Sequence, residues 1–213
     1  AVVAGDAEPV LPALLDVLRD VRTVKTRGAR QDLLQRCAAV PGVYVPALYT
    51  VSYGADGTVA AYEPRAGAPR TVAAASQADL SMPAHSPIVS DSAAFRGMFL
   101  LELSRGCPYR CRFCVSRYTG HGFRAAPAGA LAELLRAGAG IAARIGFVGT
   151  AFADAASMDA ACRAANEAGV RVSFSSIRLT PRVLQLFRDW GRVIDNQTLA
   201  VAPEAATGRM RRV

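Results

Sequence analysis

The stretch Met98-Phe99-Leu100-Leu101-Glu102-Leu103-Ser104-Arg105-Gly106-Cys107-Pro108-Tyr109-Arg110-Cys111-Arg112-Phe113-Cys114 decides how this chain is read. Its first six residues form an apolar run of strand length, and a glycine and a proline then break the chain into a loop that carries three cysteines. Toward the C-terminus the texture repeats. A helical pattern near 127–143 is followed by the strand IGFV (145–148), a helix near 157–168, the strand VRVSFSSI (170–177), a helix near 181–190 and the strand TLAVA (198–202). The later strands recur at about 26 residues, the length of one strand and the helix that covers it, and this alternation predicts a parallel α/β sheet. An eight-unit barrel takes roughly 250 residues, so the 113 residues from Leu101 to Val213 supply about half of one. The predicted fold is α/β, the first half of a partial (β/α) TIM-like barrel.

Toward the N-terminus, AVVAG reads as a short buried strand. Asp6, Glu8 and Pro9 then open a helix whose apolar positions are Leu11, Leu14, Leu15 and Leu18. A second helix, Arg30 to Ala39, stops at Pro41-Gly42. VYVPALYTVSY and TVAAYEP flank Gly54-Ala55-Asp56-Gly57 as a hairpin, and residues 64–97, rich in Ala, Pro and Ser, read as an extended linker. The predicted organisation is a strand–helix unit over 1–28, a hairpin and linker over 29–97, and the half-barrel over 98–213. The chain lacks an initiator Met and ends at Arg211-Arg212-Val213 without a closing element. It therefore reads as a piece of a longer protein.

With 52% hydrophobic and 20% charged residues among 213, the chain has enough apolar mass for a packed core, which excludes wholesale disorder. No stretch reaches the roughly 18 to 20 uninterrupted apolar residues of a spanning helix; the small-residue run from Ala137 to Ala156 carries Arg144 and Asp154. The N-terminus has neither a basic region nor a long apolar core, so a cytoplasmic protein that does not enter a membrane is predicted. The formal charge of +8 is unevenly placed. Residues 1–100 carry nine basic and nine acidic side chains, and residues 101–213 carry sixteen and eight. The second half is the one suited to anionic partners.

Three of the five cysteines, Cys107, Cys111 and Cys114, form C-x3-C-x2-C. Spacing this tight lets three thiolates converge on one metal centre, and soft sulfur donors select iron–sulfur or zinc. Three ligands leave one iron of a cubane open, which separates a catalytic centre from an electron store closed by four cysteines. The alternative is a structural zinc knuckle in which His121 completes a Cys3His set. Cys37 and Cys162 lie in helical apolar surroundings and read as small core residues.

LELSRGCPYRCRFC (101–114) resembles the cluster-binding signature of the radical S-adenosylmethionine (radical SAM) superfamily, and the resemblance runs from about Gly97 to the C-terminus. It implies an enzyme in which Cys107, Cys111 and Cys114 hold a 4Fe-4S cluster. The fourth iron of that cluster is chelated by S-adenosylmethionine, and an electron donor such as flavodoxin or ferredoxin drives cleavage to methionine and a 5′-deoxyadenosyl radical that abstracts hydrogen. Phe113, just before the last cysteine, would neighbour the adenine. Where the family has a small-residue turn, often Gly-Gly-Glu, at the methionine end, this chain has Gly149-Thr150-Ala151-Phe152. The acid is missing, and Thr150 with backbone carbonyls would replace it. Strand alternation puts Ser176 and Arg178 on one face, with the Arg178 fork suited to the cofactor carboxylate. Glu204, in Ala202-Pro203-Glu204, would accept from the ribose hydroxyls.

The unit AVVAG-Asp-Ala-Glu-Pro plus helix resembles the end of the Rossmann-like cobalamin-binding domain that precedes the barrel in one subgroup, for which methyl transfer is an outcome. His85 and His121 are the two histidines and neither lies in Asp-x-His-x-x-Gly, so no lower cobalt ligand is assigned here. An RNA-modifying or RNA-binding iron–sulfur protein is the competing reading. The basic second half favours it; Arg105, Arg110, Arg112, Arg117 and Arg124, around the cysteines, would be solvated loop charges or would raise the cluster potential or guide an anionic cofactor or reductase. The aromatics Tyr109, Phe113, Tyr118 and Phe123 gather at the cysteine loop instead of along an open sheet, which favours a small-molecule substrate over nucleic acid.

Overall fold

The computed structural model describes residues 1–19, 26–65, 67–109, 111–119, 121–149, 152, 155–175, 177–196, 199–202 and 204–210. It divides into two compact units, Ala1–Ala78 and Asp79–Val213.

In the first unit β1 (Val2–Val3) pairs antiparallel with β2 (Val43–Tyr44), and α1 (Leu11–Arg19) and α2 (Arg27–Ala38) lie between them in sequence. The strand predicted as buried is two residues long, and Val2 is half exposed. A tight turn forces glycine at position 5. It has φ 89°, and a Cβ there would meet the Ala75 carbonyl oxygen at 2.1 Å. Thr26 caps α2 by accepting a hydrogen bond from the Ala29 amide (3.1 Å). The hairpin forms as predicted, β3 (Tyr49–Tyr53) with β4 (Val59–Pro64), and Asp56 closes its turn by accepting from the Thr58 amide and hydroxyl. Val10, Cys37, Val43, Val45 and Leu48 form this unit's core. Of the four apolar positions read for α1, Leu11, Leu15 and Leu18 are exposed, and Leu14 packs against the core.

The second unit holds a four-stranded sheet in the order β6-β5-β7-β8: β5 (Met98–Arg105), β6 (Arg124–Ala125), β7 (Arg144–Gly149) and β8 (Arg171–Phe174). β5, β7 and β8 are parallel, joined through α4 (Ala128–Ala139) and α5 (Ala155–Glu167), and β6 is antiparallel to β5. The parallel α/β alternation predicted from the 26-residue interval is therefore present. Strand periodicity sorts the faces. Phe99, Leu101, Leu103, Ile145, Phe147, Val172 and Phe174 turn into a core with Leu131, Leu135, Met158, Ala161 and Cys162 of the helices. Fully burying a residue of this size stabilises by about 1.5–3 kcal/mol, so this face holds the sheet together. The other face carries Met98, Leu100, Gly146 and Ser173 around a cavity of about 220 Å³.

Two expectations change. Residues 64–97 are not all free linker, because Ala84–Ser86 run along β5. His85 bridges Leu101, the Glu102 amide donates to the Ala84 carbonyl (2.8 Å) and the Ser86 amide to the Leu100 carbonyl (2.9 Å). Pro83 and Pro87 bracket the segment, and having no N–H they confine pairing to three residues. Of the strand predicted at 198–202, the described residues show a single β-bridge residue, Ala200, and Leu199 and Val201 are exposed. Ile194 bridges Val172 instead, and the Asn196 side chain serves as a strand partner for Phe174, accepting from its amide (2.9 Å) and donating to its carbonyl (2.8 Å). Asp195 ties this segment to the starts of β7 and β8 through Arg144 (3.7 Å) and Arg171 (3.4 Å).

α6 (Pro181–Asp189) starts at Thr180, which accepts from the Val183 amide, with Pro181 in the first turn. Trp190 donates its indole N–H to Asp159 of α5 (2.7 Å), clasping the two helices. Among the described residues no helix is long and apolar enough to cross a membrane.

Candidate functional site

Parallel strands place their carboxyl ends at one edge of a sheet, and loops from different strands meet there. The cysteine loop leaves β5 at this edge. Gly106 makes the first turn with φ 74°, and a Cβ on it would lie 2.0 Å from the Gly122 carbonyl oxygen. The residues between Gly106 and Gly122 therefore form a loop pinched at its neck by backbone against backbone, which glycine alone permits. Within it the Cys114 amide donates to the Cys111 carbonyl (3.2 Å), and the short helix α3 (Ser116–Thr119) follows.

Cys107, Cys111 and Cys114 are free thiols and partly exposed, whereas Cys37 and Cys162 are buried, as their apolar surroundings in the sequence predict. Burial, and then the Asp159 carboxylate, push the Cys162 thiol up to about 12, which makes it inert. Among the described residues no three His, Cys, Asp or Glu side chains converge closely enough to hold a metal ion. The three thiols share one loop without meeting at a point. Their chemistry fits an iron–sulfur cluster, as three soft donors on one short segment with no disulfide consuming them. His121, the fourth ligand of the zinc alternative, is exposed.

The floor of the loop is an ion pair that spacing did not reveal. Arg105 forks onto Glu102 with both contacts at 2.7 Å, the two side chains 18% and 11% exposed, and the same carboxylate accepts from the Ala84 amide (3.2 Å). A bidentate, hydrogen-bonded arrangement is what a mostly buried pair needs, because desolvation otherwise outweighs the attraction. The sequence signal was a Glu three residues before an Arg at the end of an otherwise apolar strand.

Gly149, at the end of β7, lies against the loop's base. A Cβ there would meet the Ser104 carbonyl oxygen at 3.0 Å and the Ser104 Oγ at 3.1 Å. Arg178 falls four residues past the end of β8, because the Asn196 amide occupies the Phe174 backbone and the strand does not continue. It thus reaches the site from a loop and not from the strand face that alternation predicts. Its guanidinium carbon sits 4.3 Å from the centroid of Tyr109, inside the cysteine loop. The structure so brings the cysteines, Gly149 and Arg178 to one edge. Phe113 is 67% exposed. Glu204 adopts φ 63° in the exposed loop after α6, and no hydrogen bond or ion pair holds it among the described residues. Thr150 and Ser176 lie outside the described residues.

Comparison with known proteins adds a relative without an assigned role. The chain is 32% identical over 124 residues to the uncharacterized protein MJ0966 of Methanocaldococcus jannaschii, a match covering 57% of this chain and 27% of that protein. The chain thus spans about a quarter of the length of that relative. No family model and no solved structure matches the chain.

Proposed function

We propose that the chain is part of a radical SAM iron–sulfur enzyme and that its second unit is the first half of a partial (β/α) barrel. The observation that carries this reading is the C-x3-C-x2-C loop at the carboxyl end of the first parallel strand, in contact with the segment after the third through Tyr109 and Arg178. When bound, the cluster supplies one electron that cleaves S-adenosylmethionine to methionine and a 5′-deoxyadenosyl radical, which takes a hydrogen atom from the substrate.

The residues here do the holding. Cys107, Cys111 and Cys114 supply three thiolates. The pinched neck and the Glu102–Arg105 pair anchor the loop that bears them. Arg178 pairs with the cofactor carboxylate, Gly149 leaves backbone approachable at its methionine end, and Glu204 and Phe113 serve ribose and adenine. The arginine-rich loop suits an acidic electron donor. Cobalamin enters through the N-terminal unit alone, and no residue described here is assigned to it.

Anaerobic reconstitution with iron and sulfide tests the reading. A broad absorption near the visible–violet boundary, lost in Cys111→Ala, is expected, with release of 5′-deoxyadenosine from S-adenosylmethionine once the full protein is reduced. A colourless protein with one zinc per chain refutes the reading in favour of the Cys3His knuckle. A full cluster that never turns the cofactor over reduces it to a binding module.

A further inference from the structure

We infer that Tyr109 is a positioning residue that builds a carboxylate site on Arg178 and couples that site to the cysteine loop. This rests on the reading above and adds to it a residue that the spacing of motifs did not single out. Arg178 is exposed, and among the described residues its fork makes no ion pair; its contact is with the face of the Tyr109 ring, 4.3 Å from centroid to guanidinium carbon.

That geometry is selective in what it uses. A guanidinium held over an aromatic ring spends none of its N–H donors on a charged partner, and two parallel donors are the match for a carboxylate. A long, solvated arginine loses rotamer freedom when it captures an anion. An arginine already laid on a ring has lost part of that freedom beforehand, so the ring acts by preorganisation. Tyr109 follows Pro108, which fixes its own φ and removes a donor, and it lies between two of the three cysteines. Ordering the loop around its metal therefore orders the ring as well. The carboxylate site on the β8 side is complete only when the cysteine loop on the β5 side is ordered, which favours binding of the cofactor after assembly of the cluster.

The test measures the dissociation constant for S-adenosylmethionine, by equilibrium dialysis of reconstituted protein, together with iron per chain. Tyr109→Leu is expected to weaken binding about two- to five-fold, the factor an exposed cation–π contact carries, at unchanged iron content. Tyr109→Phe restores it, since the ring and not the hydroxyl is required. In an Arg178→Ala background Tyr109→Leu has no further effect. Wild-type affinity in Tyr109→Leu, or a Tyr109→Phe protein as weak as Tyr109→Leu, overturns the inference. Should leucine leave the loop without iron, Tyr109→Trp decides: its larger face keeps or tightens binding, and weakening beyond about five-fold overturns the proposal. If iron-replete wild type does not bind S-adenosylmethionine at all, the functional reading fails and takes this inference with it. If wild type binds but the Tyr109 variants are indistinguishable from it, the inference alone fails.

Discussion

The neck of the cysteine loop allows a sharp test, because two glycines there differ in one respect. Gly106 and Gly122 both have positive φ, 74° and 80°. Either substitution to alanine therefore places an L side chain in the left-handed region, at about 1–2 kcal/mol. A Cβ on Gly122 meets nothing within 4 Å, whereas one on Gly106 lies 2.0 Å from the Gly122 carbonyl oxygen and 2.8 Å from its carbon. Ordinary contact begins near 3.5 Å, so the neck must part by more than about 1 Å, and overpacking of this kind costs a further ~1–3 kcal/mol. Gly106→Ala should then open the neck about five to 150 times more often than Gly122→Ala.

The assay is amide exchange over β6, which pairs with β5 at Ser104↔Ala125 and Arg105↔Arg124 directly behind the neck, and at the Ala126 amide that donates to Leu103 (3.0 Å). Exchange should accelerate there in Gly106→Ala and much less in Gly122→Ala. The amides of α4 and α5, which belong to the core away from the loop, should keep their protection. Iron uptake should fall in the same order. Equal exchange in the two variants refutes the pinched neck.

The remaining predictions concern thiol reactivity and the second unit's core. In metal-free protein at pH 8, iodoacetamide should modify Cys107, Cys111 and Cys114 and spare Cys37 and Cys162; a thiol pushed up to about 12 is roughly a thousand-fold poorer in thiolate than an ordinary one even before burial slows access. Peptide mapping by mass spectrometry reads the pattern, and early labelling of Cys162 counts against the packing of α5. Gly138→Ala, whose Cβ would meet the Phe99 ring at 2.7 Å and Ile145 at 3.1 Å, should lower the melting temperature despite a helix-propensity gain of about 1 kcal/mol. Gly129→Ala in the same helix, with nothing within 4 Å, should not lower it. The Trp190 indole, and then Arg163, hold Asp159 below the usual carboxylate range. Its folded-state value thus lies under the unfolded one near 3.9, and its contribution is present above that pH and disappears as pH falls through the folded value. Because the side chain is 44% exposed, the contribution stays under about 1 kcal/mol. Asp159→Asn should therefore cost stability at pH 7 and little at pH 2, as thermal melts at the two pH values would show.

The order β5, α4, β7, α5, β8, α6 was legible because apolar runs of strand length alternate with stretches of helical pattern, whereas the short α3 and the two-residue β6 were not read. What was not legible depends on partners far away in sequence. β8 stops at Phe174 because an asparagine side chain 22 residues later takes the place of a strand, and no local pattern announces that. Ala84–Ser86 pair with β5 inside a stretch whose prolines and serines read as linker. The leucines of α1 satisfy a helical stripe, yet Leu11, Leu15 and Leu18 remain outside the core of their own unit. Periodicity gives a face and not what covers it.

At the site the same division holds. The three cysteines were legible as spacing, because thiolate chemistry needs only that several donors share a short segment. Their convergence was not, and among the described residues it is not built into the chain. What the chain does build is the frame: a glycine-pinched neck, a forked ion pair at 2.7 Å at the end of β5, and a glycine at the end of β7 where a Cβ would come within 3.0 Å of the Ser104 carbonyl oxygen. Each of these constrains the base of the loop that carries the thiols. Under the proposed function, a loop framed in this way would leave the metal to set the final sulfur geometry. Its binding energy would then go into closing a short loop and not into folding a sheet that the apolar face of β5, β7 and β8 already holds.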